Sequence, residues 1–164
     1  MLEEDFVRDL RKLAHETGLE GDSFESGHAR WRVYSAALRI PGRADQLISA
    51  LGHEPDEAIA VSVALKCIEE LPEPLREMVA STLPVGNSQE FVRARMADLS
   101  VLDAIVSRPG DQVEPASMER WSPWLQLRAA TSSSRQQVLE YLASSGRTKR
   151  IRRTALARSK ELSS

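Results

Sequence analysis

Few residues in this chain have the types and spacing that chemistry requires. Glu20, Asp22, Glu25 and His28 form the one dense group of acidic and basic side chains in a loop, between Gly18 and His28. Carboxylates and an imidazole so grouped could move protons, because general acid–base work needs only placement and a tuned pKa. A polar surface connector has the same composition. His15, His28 and His53 are far apart and belong to no HExxH or paired-cysteine pattern, so no metal is expected. Cys67 is the single cysteine and falls on the apolar side of a helical segment, where a thiol behaves as a small, inert hydrophobe. The serines at 132–134 and at 144 and 145 sit where helix caps are needed and lack the glycine frame of a nucleophile elbow. No phosphate-cradling glycine loop is present. The sequence therefore names no catalytic residue and no cofactor, and the reading is non-enzymatic. An enzyme with its site near the Gly18–His28 loop is the alternative.

Binding chemistry is better represented. Trp121 and Trp124 flank Ser122-Pro123, with Arg120 and Arg128 close by in sequence. Tryptophan concentrates at binding hot spots, and an aromatic-basic patch also suits nucleic acid. Anchoring of the terminal helices by a large aromatic explains the same residues. Beyond them, residues 147–164 carry seven cations against Glu161, a net charge of +6, while the rest of the chain carries −8. Such asymmetry bears on partners and not on fold. The candidate partner-binding residues are Trp121, Trp124, Arg128, Lys149, Arg150, Arg153 and Lys160.

The elements that must position these groups read as helices. The chain has 164 residues, 41% of them hydrophobic and 28% charged, which suits a single globular domain. No segment alternates long enough to form a strand, and eight or nine helices are expected. Phe6, Leu10 and Leu13 share a face over residues 3–16, and Val33 with Ala37 lie one turn apart over residues 29–38. A short helix over 43–51 leads to the most apolar one, over 55–71, with Pro55 at its first position; it reads as the centre of the core. Further helices cover residues 74–83 and about 87–107, the second opened by an Asn87–Glu90 capping box and carrying Val92, Met96, Leu99, Leu102 and Val106 inward. Residues 109–115 read as a turn-rich link, so a change of sub-structure is expected near 108–116, between a helical body (1–107) and a C-terminal part (117–164). Ser122-Pro123 opens the next helix, Ser133 or Ser134 caps another with Val138, Leu139 and Leu142 inward, and Gly146 ends it. The last helix, over 148–161, places Ile151, Ala155 and Leu162 on one side and Lys149, Arg153 and Lys160 on the other.

This last region contains a repetition. Arg128, Ala130 and Ser134 recur as Arg153, Ala155 and Ser159, each 25 positions later. Repetition at such a period marks helical solenoids, whose short units bury apolar faces on one another. Val138-Leu139-Glu140-Tyr141-Leu142, then Ser144-Ser145-Gly146, then Ile151-Arg152-Arg153-Thr154-Ala155-Leu156 resembles the HEAT-like and leucine-rich-repeat-variant helical repeats of bacterial proteins. Leu47, Leu51, Ile59 and Leu65 give a fainter echo. The resemblance spans about 40 residues. The acidic turn residues are missing and two copies are evident, so it implies an irregular all-α helical-repeat (α-α superhelix) domain and not a long regular array. It also implies a binding surface and no reaction. The expected function is protein–protein interaction, with nucleic-acid binding through the basic final helix as the alternative. The acidic start, the lone cysteine and the lack of a long apolar run point to the cytoplasm and away from a membrane.

Overall fold

The computed structural model describes residues 4–21, 23–108 and 110–163. These are all-helical, with ten α-helices and no strand among the described residues. The chain divides into two compact units, residues 1–96 and 97–164. By sequence the first carries 17 carboxylates and 11 cations, a net −6, and the second 11 cations and 7 carboxylates, a net +4.

Unit 1 contains α1 (Glu4–Thr17), α2 (Gly27–Ala37), α3 (Ala44–Leu51), α4 (Glu57–Glu70) and α5 (Glu73–Thr82). It also holds the start of α6 (Asn87–Ser107), within which the division falls. The i, i+4, i+7 face of α1 is buried as its spacing requires, with Phe6, Leu10 and Leu13 at most 1% exposed. Gly18, at φ +70°, turns the chain away from α1 in a conformation that glycine adopts without penalty. α4 departs from its expected form in two ways. Asp56 caps it, its carboxylate accepting from the N–H groups of Ala58 and Ile59, so Pro55 lies before the helix and not in its first turn. Its buried face is one stripe, Ala60, Val63, Ala64, Cys67 and Ile68, while Val61 and Leu65 are only half-buried and Ala58 is exposed. α6 begins at Asn87, and the Gly86 carbonyl accepts the N–H of Glu90, so Asn87 is the first helical residue and not the cap.

Burial pushes the Cys67 thiol up to about 12; nearby Glu70 adds to the rise and Lys66 opposes it. Because this folded-state value lies above the ordinary one, the contribution is complete below about pH 9 and is lost as pH rises toward 12. Thiol–disulfide exchange at Cys67 in the native state at pH 8, followed by the coloured thiolate that a chromogenic disulfide reagent releases, is expected to be at least a hundredfold slower than in denaturant. Cys67→Ala should flatten the alkaline fall in the denaturation midpoint. A thiol that reacts at the same rate in both states would place Cys67 outside the core.

Unit 2 contains the remainder of α6, α7 (Pro115–Arg120), α8 (Pro123–Ser132), α9 (Gln136–Ser145) and α10 (Lys149–Leu162). Its core joins Ile105, Met118, Trp121, Leu125, Ala129, Ala130, Val138, Leu139, Leu142, Ile151 and Ala155. α7 occupies part of a stretch that sequence leaves between elements, which brings the helices to ten rather than eight or nine. Of the expected link, Pro109 lies outside the described residues. Val92 and Leu99 of α6 are buried as expected, but near its C-terminal end the inward residue is Ile105, 2% exposed, and not Val106, which is 48% exposed. Ser122 does cap α8, its Oγ accepting the N–H of Leu125 at 3.1 Å. Ser122→Ala should cost about 1 kcal/mol in the urea unfolding of unit 2.

Candidate functional site

The seven candidate binding residues separate into two groups. Trp121 is 6% exposed and is part of the unit 2 core, so it anchors α7 and α8 rather than facing a partner. Trp124 packs half-buried against the same cluster, and the Arg128 guanidinium lies over its ring, 5.4 Å from the centroid. That cation already covers one face of the indole, leaving less of it as a stacking platform.

Lys149, Arg150, Arg153 and Lys160 are all exposed on α10. Thr148 starts this helix, its side chain accepting the N–H of Ile151 at 3.2 Å. Ile151 and Ala155 hold it to α8 and α9 at 2% and 0% exposure. Ser159 completes the buried stripe, accepting from Gln136 at 2.8 Å, whereas Leu162, expected inside, is 43% exposed near the helix end. Fixing that stripe turns Lys149, Arg153, Leu156 and Lys160 outward, at i, i+4, i+7 and i+11, with Arg150 and Ala157 alongside. Leu156 is 48% exposed in the middle of this row. The other α10 arginines are engaged: Arg152 donates to the Gly146 carbonyl at 2.6 Å, and Arg158 pairs with Glu161.

The 25-residue correspondence holds in part of this geometry. Arg128 and Arg153 are both exposed, and Ala130 and Ala155 are both fully buried. Ser134 lies beyond the end of α8, however, while Ser159 lies inside the longer α10.

The Gly18–His28 loop brings Glu20 and Glu25 to one cavity and leaves His28 apart from them. Glu20 is paired with His15, His28 is exposed on the first turn of α2, and Asp22 lies outside the described residues. A cavity of about 580 Å³ lies between α1 and the loop, lined by Arg11, His15, Glu20, Phe24 and Glu25 among others, with His28 not on its wall. No group of three or more His, Cys, Asp or Glu among the described residues is placed to hold a metal ion. Among the described residues, no helix is long and apolar enough to cross a membrane.

Two buried polar clusters went unread in the sequence. In unit 1 the Arg30–Glu54 pair has side chains 5% and 0% exposed. Arg30 donates to both Glu54 oxygens and to the carbonyls of Phe24 and Glu25. Tyr34 and the N–H of Asp56 also donate to Glu54, each at 3.1 Å. Burial, and next the Glu54 charge, keep the Tyr34 phenol protonated far above its ordinary value. The signal was register: Arg30 lies four residues before Tyr34 and seven before Ala37, on the buried face of α2. In unit 2, Arg135 is 7% exposed and donates to the carbonyls of Ala104, Arg108 and Asp111, closing the end of α6. Both clusters hold backbone in place, and neither offers a reactive atom to solvent.

No family model, no curated protein and no solved structure matches the chain.

Proposed function

We propose that the chain is an α-helical interaction module that holds a protein partner on the outer face of α10. The observation that carries this reading is one surface: Lys149, Arg150 and Arg153, with no partner among the described residues, beside the half-exposed Leu156. Isolated surface cations are only solubilising. A leucine held among cations by a rigid, capped helix adds apolar area that a partner can cover, on the order of 1 kcal/mol for what remains exposed. We read α8, α9 and α10 as an irregular relative of HEAT-like units, in which each helix buries one stripe on its neighbours and leaves the opposite one for a ligand. The module works in the cytoplasm, and no reaction is assigned to it.

A photo-crosslinking amino acid at Leu156 tests this in the source cell, with the same group at Val85, which is 93% exposed in unit 1, as control. A discrete protein adduct from position 156 and none from position 85 is the expected result. A nucleic-acid adduct at 156, or no adduct there, overturns the reading.

A further inference from the structure

Resting on that reading, we infer that the partner segment is an acidic amphipathic α-helix that lies along α10, with its carboxylates on Lys149, Arg153 and Lys160 and one apolar residue on Leu156. The row from 149 to 160 runs at i, i+4, i+7 and i+11, which is the straight edge one helix presents to another and spans about 16 Å, or three turns. A second helix matches that row with carboxylates and one apolar side chain at the same offsets. Irregular acidic chain would meet the charges without meeting Leu156 in register. A second copy of α10 is a poor occupant, because its own cations would face these ones. Nucleic acid is disfavoured by Leu156, 48% exposed at the centre of the row, whose apolar surface a phosphate backbone does not cover. The acidic sign of the partner follows from charge complementarity, which also steers its approach.

The probe is a fluorescent 18-residue peptide with glutamates at i, i+4 and i+11 and leucine at i+7 on an alanine-rich background. Its control has the same charges with two central alanines replaced by proline, which removes the helix. Anisotropy titration against the full chain should show the helical peptide binding at least tenfold more tightly than the proline-broken one, and weakening as salt is raised. Lys149→Glu with Arg153→Glu should weaken it at least tenfold, and Leu156→Glu at least fivefold. These positions are exposed, so the variants should retain the parent's circular dichroism and unfolding midpoint. Equal affinity for the two peptides, or indifference to the charge reversals, overturns the inference. Tighter binding of a 12-nucleotide single strand, sensitive to the same variants, overturns it as well. A protein adduct at position 156 without helix-selective binding would sink this inference alone, whereas no protein adduct removes the function beneath it.

Discussion

Glu54→Ala is expected to destabilise unit 1 by about 3–5 kcal/mol, which is the cost of leaving the other half of a buried ion pair unpaired. The Glu54 side chain is fully buried, and four donors converge on it: Arg30 Nε, Arg30 Nη2, the Tyr34 hydroxyl and the Asp56 N–H. Removing the carboxylate strands a guanidinium that is itself 5% exposed. Two Arg30 bonds survive, to the carbonyls of Phe24 and Glu25, and these offset part of the loss without neutralising the charge. The same substitution should loosen the residues on either side of the pair. One side is the loop before α2, held by those two carbonyls; the other is the start of α4, reached through Asp56. Urea unfolding measures the first effect and amide hydrogen exchange at residues 23–26 and 56–59 the second. Arg30→Met with Glu54→Leu should recover much of the stability, because replacing both members with apolar groups removes the stranded charge. A loss below about 1 kcal/mol for Glu54→Ala would show that water reaches the pair in solution.

This pair also marks the boundary of what sequence reveals. Helices whose apolar positions repeat regularly were legible: Phe6, Leu10 and Leu13 in α1, and Val138, Leu139 and Leu142 in α9, are all buried. Local chemistry was legible too, since Ser122 needs only its next three residues to act as a cap. The outward basic row of α10 followed from Ile151 and Ala155 being inward. What failed depends on partners distant in sequence. Arg30 and Glu54 are 24 residues apart, and Arg135 meets carbonyls 24 to 31 residues away, so neither cluster has a local pattern. Ile105 and Val106 are equal in apolar character and adjacent, and only the packing of unit 2 chooses between them. Trp121 and Trp124 posed the same problem: hot-spot and core residues share one chemistry until burial separates them.

Gly146→Ala is expected to destabilise unit 2 by about 2–3 kcal/mol, near the upper end for a single overpacked carbon. The sequence marks Gly146 as a helix stop, and glycine there usually supplies a left-handed turn. Its φ is −58°, which any residue adopts, so conformational freedom is not why glycine stands here. The reason is space. A Cβ at this position would lie 2.5 Å from the Leu142 carbonyl oxygen and 2.6 Å from Ile151 Cγ2. The first is backbone in the last turn of α9, and the second belongs to a side chain 2% exposed in the core. Neither can give way without moving α9 against α10. The Gly146 carbonyl also accepts from Arg152, so displacement there would weaken a contact at the start of α10. Gly110→Ala is the control, because a Cβ there meets nothing within 4 Å. Thermal unfolding should show a lowered midpoint for Gly146→Ala and none beyond error for Gly110→Ala. Ile151→Ala should destabilise alone, by leaving a cavity, yet cost less when combined with Gly146→Ala, because the added methyl then occupies vacated space. Strict additivity of the two would mean that the Leu142 carbonyl alone sets the constraint. An unchanged midpoint for Gly146→Ala would mean that α9 and α10 sit further apart than their tight turn implies, and the outward row of α10 would lose its fixed orientation with them.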